Sequence, residues 1–279
     1  EKQECEYTLS DFGELSWNNT DFINIRQKYN EKGNTIEQIY PLTSLQEGML
    51  FHKIMEENST EYVIQSEYKI SQKIDYEIFR ESVKLLSRKH EVLRTNIVYK
   101  DVEEPRQIIL KGKVLETEVL NLTEEKSEIY KKVKNDDVKR GFDLENDSLI
   151  RFKIIKLTKD DYRLLICFHH IIMDGWCLSI ILNDLAEIYT TISKNEFSAI
   201  NLEEDKTARY EEFVKYILGK ENSTGLNYWK KLLEGYEVQA GIKPDIIDKN
   251  HESDENTAEI KLNIKEKVKL ENICNKYAI

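Results

Sequence analysis

The sequence predicts an α+β fold, a mixed or antiparallel sheet packed with helices, from three features. The apolar runs LIRFKIIKL (149 to 157) and YRLLICF (162 to 168) are split only by Thr158-Lys159-Asp160-Asp161, the pattern of an antiparallel hairpin. Stretches such as YEIFRESVKLLSRKH (76 to 90) carry apolar residues at helical spacing, here Phe79, Val83 and Leu86. Strand and helix patterns mix without the strict alternation that a parallel βαβ sheet requires.

Taken in order, residues 13 to 35 are polar and weakly periodic. They read as a linker or loose helix, with residues 1–35 as an upstream tail and the compact domain starting near Ile36. Beyond Tyr40-Pro41-Leu42, Ser44 is placed to cap a helix over SLQEGMLFHKIME with apolar Leu45, Met49 and Ile54. EYVIQSEYKI (61 to 70) predicts a strand and 76 to 90 an amphipathic helix. Short strands are expected at 95 to 99, 106 to 110 and 114 to 120, then a polar helix from about 123 to 139. After the hairpin a helix opens at Asp174 or Gly175 and runs to about Ser193, burying Ile181, Leu185, Ile188 and Ile192. Helices fit 207 to 219 and 223 to 234, loop fits 236 to 256, a strand 257 to 262, and a final helix starts at Lys265.

With 279 residues and 40% hydrophobic content the chain can bury a sizeable core, which argues against disorder. A net charge of −11, from 41 basic against 52 acidic residues, argues against nucleic acid as a partner. Cys5, Cys167, Cys177 and Cys274 match no zinc or disulfide spacing and read as reduced thiols. No apolar run approaches the ~20 residues of a membrane span, and the N-terminal string lacks a signal peptide's basic and apolar regions. The expectation is a cytoplasmic protein with no membrane partner.

CFHHIIMDGW (167 to 176) sets two histidines at the end of an apolar strand, followed by Asp174-Gly175-Trp176. Alternation puts Leu164, Ile166 and Phe168 on one face and Leu165, Cys167 and His169 on the other. His170 falls where the strand breaks into a turn, a place from which a ring can reach a cleft. Taken alone, the pair also fits two satisfied core or edge histidines, with Asp174 as a helix N-cap. A metal site is disfavoured, because adjacent strand residues point to opposite faces and no further ligand lies at the right spacing.

HHIIMDG (169 to 175) resembles the HHxxxDG signature of the acyltransferase superfamily that includes chloramphenicol acetyltransferase and the condensation domains of nonribosomal peptide synthetases. IYPLTSLQEGMLFH (39 to 52) resembles the first core motif of condensation domains and RKHEVLRTNIVY (88 to 99) the second, in the family's order. The segment 208 to 233, with Tyr228-Trp229, resembles a later helical stretch. The resemblance implies a chloramphenicol acetyltransferase-like lobe over residues 36–279.

It also implies an activity, amide formation between a carrier-bound acyl or peptidyl thioester and the amine of a carrier-bound amino acid. By resemblance His170 is the general base or the group that positions the amine, and His169 its packing or orienting neighbour. An amine with a pKa of roughly 8 must lose a proton on its way to an amide, and histidine is suited to accept one. Asp174 resembles the family's structural aspartate, with Arg94 of the LRT string as the expected ion-pair partner. Gly175 is a candidate oxyanion donor at a helix start, or a glycine needed only for the turn. Trp176 is expected to pack its helix, and His52 and His90 to be structural.

The family's second lobe has no counterpart motif in this chain, so the expectation is an N-terminal lobe, inactive by itself. YTLSDF (7 to 12) resembles the TPSDF string that closes epimerization domains, with Leu9 in place of proline, and suggests an upstream epimerization domain and a donor ending in a D residue. An epimerization domain would resemble DxxSW where this chain has Asp174-Gly175-Trp176-Cys177-Leu178, and a heterocyclization domain would replace the histidines. A condensation-like domain that only docks carriers is the rival from outside enzymology. No GxxxxGK loop and no carrier serine motif is present, so adenylation and carrier domains are expected as partners. No metal or bound cofactor is implied, and phosphopantetheine would arrive on the partner carrier proteins.

Overall fold

The computed structural model describes residues 8–12, 18–124, 127–196, 209–220, 223–237 and 260–277. Two compact units divide the chain, Glu1–Glu221 and Asn222–Ile279. The first holds α1 (Asn19–Asn30), β1 (Thr35–Pro41), α2 (Ser44–Met55), β2 (Val63–Ile70), α3 (Tyr76–Lys89), β3 (Thr95–Val98), β4 (Arg106–Lys111), β5 (Glu116–Asn121), α4 (Ser127–Arg140), β6 (Ile150–Lys156), β7 (Tyr162–His169), α5 (Gly175–Ser193) and α6 (Tyr210–Leu218). The second holds α7 (Ser223–Leu232) and α8 (Ile264–Tyr277). The predicted α+β class is the one observed.

Two sheets organise the first unit. One is antiparallel in the order β1-β4-β3, and the other is mixed, β2-β7-β6-β5, with only β5 and β6 parallel. Register pairs Ile150 with Phe168, Phe152 with Ile166 and Ile154 with Leu164, so these six residues share the apolar face. Together with Phe79, Val83 and Leu86 of α3 and Leu178, Ile181, Leu185, Ile188 and Ile192 of α5 they form the main core. Burying each large aliphatic side chain there contributes about 1.5–3 kcal/mol.

The opposite face of the same sheet is buried but polar. Arg151 lies across from Cys167, and Cys167 from Gln65. Arg151 pairs with Asp137 of α4 at 2.8 Å with both side chains almost fully buried, and Gln65 Nε2 donates to the other Asp137 oxygen at 3.0 Å. Such a pair is tolerated because the remaining donors also find partners, Arg151 donating to Gly141 O at 2.8 Å as well.

Several sequence expectations are corrected. The polar stretch 13–35 contains a docked helix, since α1, capped by Asn18, buries Phe22, Ile25 and Tyr29 at helical spacing against Ile36, Ile39, Val98, Ile108 and Leu110. The cap of α2 is Thr43 rather than Ser44, in a capping box with Gln46. Of the apolar residues assigned to α2, Met49 is buried but Leu45 and Ile54 are exposed. β1 has no counterpart among the predicted strands, because a register irregularity between Ile36 and Gln38 breaks its alternation. Residues 260–263 form no strand, and the rest of the strand expected at 257 to 262 lies outside the described residues, as does Cys5. Cys167, Cys177 and Cys274 are free thiols.

Candidate active site

β7 ends in the middle of its sheet, and the two histidines leave it in different ways. The His169 amide donates to Leu149 O at 3.0 Å and the His170 amide to Tyr62 O at 2.8 Å, so neighbouring strands hold consecutive residues. His169 stays buried on the polar face. Its Nδ1 accepts the Ile171 N–H at 3.1 Å, which places its proton on Nε2 and closes the turn from inside. Its ring lies against Tyr62 and meets the edge of Phe142, with centroids 6.2 and 6.3 Å away. Burial first, then the electrostatic influence of Lys53 and His170, pushes its pKa down to about 4. His169 is therefore neutral near pH 7 and acts as the turn's internal support.

His170 sits in the turn itself, half-buried. Among the described residues no side chain hydrogen-bonds its ring, and the turn's backbone carries it. The following Ile171, Ile172 and Met173 are buried and anchor the turn in the core.

Asp174 then starts α5 as its N-cap, accepting from the Trp176 and Cys177 amides at 3.0 and 3.1 Å. Those bonds, from Cys177 first, hold its carboxyl below the usual carboxylate range. Gly175 is the first helical residue, with its amide not taken by this cap and nothing within 4 Å of where a Cβ would stand. The expected Asp174–Arg94 pair is not formed. Arg94 is buried and bound instead to Glu37 of β1, to Ser87 O at 2.8 Å and to Leu110 O at 3.0 Å. It fastens β1 and β4 to the end of α3, away from the turn. Trp176, expected to pack α5, is 84% exposed.

Three supports carry no signal of their own in the sequence. Gln46 of the capping box donates from Nε2 to Ile171 O at 3.0 Å, reaching the histidine turn from α2. The Arg151 guanidinium stacks 4.1 Å over the Phe142 ring that meets His169. His90 bonds Asp184 at 2.6 Å, joining the end of α3 to α5. The only advance signal is positional, since Gln46 and His90 lie inside the strings 39 to 52 and 88 to 99. Among the described residues no group of three or more His, Cys, Asp and Glu side chains is placed to hold a metal ion. Among them, too, no helix is long and apolar enough to cross a membrane.

The chain is similar to known proteins in both sequence and fold. The chain is 33% identical over 246 residues to bacitracin synthase 3 of Bacillus licheniformis, covering 87% of the chain and 4% of the synthase. It is 32% identical over 211 residues to tyrocidine synthase 2 of Brevibacillus parabrevis, covering 74% of the chain and 6% of that synthase. Its fold matches the starter condensation domain of the rhizomide synthetase RzmA with a TM-score of 0.61 at 17% identity, over 73% of the chain and 51% of that structure. The chain thus spans a few per cent of these synthetases and about half of that solved domain. The condensation domain family model matches residues 36–279, and the chain belongs to that family.

Proposed function

We propose that this chain is the histidine-bearing N-terminal lobe of a peptide synthetase condensation domain, which joins a carrier-bound acyl or peptidyl thioester to the amine of a carrier-bound amino acid. The observation that carries this reading is the turn after β7, which buries His169 as a neutral prop and presents the His170 ring without a protein hydrogen-bond partner among the described residues. The acceptor amine attacks the thioester carbonyl, its proton passes to His170, and the C–S bond breaks to release the donor arm's thiol, which regains the proton. The Gly175 amide, at the positive end of α5, is the donor suited to the tetrahedral oxyanion. Both phosphopantetheine arms belong to the partner carrier domains, with an adenylation domain in the same synthetase.

Since the chain spans about half of the solved domain it resembles, it is expected to form no amide bond by itself. An upstream epimerization domain, suggested by YTLSDF, would supply a donor ending in a D residue. The test is product formation by the synthetase that contains this chain. His170→Ala should cut it by at least about a hundredfold, and D-terminated donors should outpace L-terminated ones. Unchanged product with His170→Ala would leave carrier docking as the function, and equal rates for the two donors would remove the stereochemical assignment.

A further inference from the structure

The His170 ring has no side-chain hydrogen bond among the described residues, so its aim depends on the backbone of residues 169 to 172. Of the bonds that fix that backbone, four are internal to the sheet and turn: His169 N–H to Leu149 O, His170 N–H to Tyr62 O, Ile171 N–H to His169 Nδ1 and Ile172 N–H to His169 O. A further one, Gln46 Nε2 to Ile171 O, arrives from a helix 125 residues away in sequence.

Gln46 is itself locked. Its side chain and that of Gln107 on β4 are both buried and bonded head to tail, Gln46 Nε2 to Gln107 Oε1 at 3.2 Å and Gln107 Nε2 to Gln46 Oε1 at 3.1 Å. The second Gln107 hydrogen goes to Pro41 O at 2.8 Å, and Gln46 Oε1 also accepts the Thr43 N–H at 3.0 Å. All four amide hydrogens therefore have acceptors. Turning either amide over would set donor against donor inside the protein, so this arrangement admits one orientation.

We infer that Gln46, locked by Gln107, is the positioning residue for His170: it transmits the fixed geometry of α2 and β4 to the Ile171 carbonyl and thereby sets where the His170 ring points. The inference rests on His170 being the working group of the proposed reaction. Its test reads the geometry of the turn and not turnover, so it can fail or succeed independently of that reaction.

The experiment is amide hydrogen exchange on the full 279-residue chain, following the His170 N–H that bonds Tyr62 O, with the Leu50 N–H of α2 as reference. Gln46→Leu should speed His170 exchange about tenfold relative to Leu50, the size expected when a buried bond is lost. Gln107→Met, which unlocks Gln46 without removing it, should give a smaller change in the same direction. Thr43→Ala, which weakens the α2 cap but leaves the Ile171 bond, should lower thermal stability with the His170-to-Leu50 ratio unchanged. The inference is overturned if Gln46→Leu and Gln107→Met speed both amides equally or leave His170 unchanged. Should Gln46→Leu fail to fold, Gln107→Met alone decides.

Discussion

Acidification should weaken this protein through His169 before its carboxylates titrate. The ring is buried against Tyr62 and Phe142, and its pKa lies at about 4 against an unfolded value of about 6.5. A proton therefore binds the unfolded chain more readily than the folded one throughout that interval. The stabilisation from keeping His169 neutral is fully present above pH 6.5 and is lost as pH falls toward 4. At 1.36 kcal/mol for each pH unit the whole gap is worth roughly 3 kcal/mol, of which about 2 is lost by pH 5.

The control is His169→Asn, whose side-chain oxygen can take the place of Nδ1 in accepting the Ile171 N–H but does not titrate. Urea unfolding of both proteins, followed by far-UV circular dichroism at pH 7 and pH 5, gives the comparison. The remaining titratable groups are present in both proteins. The wild-type midpoint should fall by roughly 1 M more than that of the variant, taking a slope of about 2 kcal/mol/M. Equal falls would show that the His169 ring is not held neutral by burial, and the assignment of this residue as the turn's internal prop would fail with it.

Two further outcomes follow from the buried polar contacts. Removing the α5 cap with Asp174→Ala should cost about 1 kcal/mol, and removing the Arg94 guanidinium with Arg94→Met about 3 kcal/mol. In the double variant the two costs should add to within about 0.5 kcal/mol, because they share no partner; coupling well above that, measured by urea unfolding, would restore the Asp174–Arg94 pair. Arg151→Met alone should cost about 3–5 kcal/mol, and more than Arg151→Met with Asp137→Leu, since the single change leaves the buried carboxylate with only Lys153, 3.5 Å away, in place of the guanidinium; equal losses would contradict the pairing.

How far the site is legible in the sequence depends on how local each contact is. Strand alternation places His169 and His170 correctly, and the Asp-Gly after them marks the start of α5, because these features depend on neighbouring residues. The partner of Arg94 is not legible, for the same reason that β1 is not. Glu37, which takes the arginine, lies on a strand whose pattern is interrupted by a register irregularity. Trp176 misleads by its size, although the stripe Leu178, Ile181, Leu185 already leaves position 176 on the other side of the helix. The docking of α1 is hidden because three apolar residues among many polar ones suffice when a sheet face lies underneath.

The same distinction says when the site forms. The turn is held by Tyr62 just before β2, Gln46 from α2 and Phe142 from the segment after α4, and each contact joins parts of the chain far apart in sequence. Closing such loops costs entropy before any contact is gained, so these bonds belong to the late, non-local part of folding. The alternation in YRLLICFHH can make a strand early, yet only the completed pairing of Val63 with His169 brings Tyr62 to the His170 amide. Asp174, by contrast, caps its own helix within three residues and needs no distant partner. The aspartate of the motif is thus a local stop signal that fixes where α5 begins. The aim of the histidine is a property of the whole first unit, which is why the residues that control it lie outside the motif that names it.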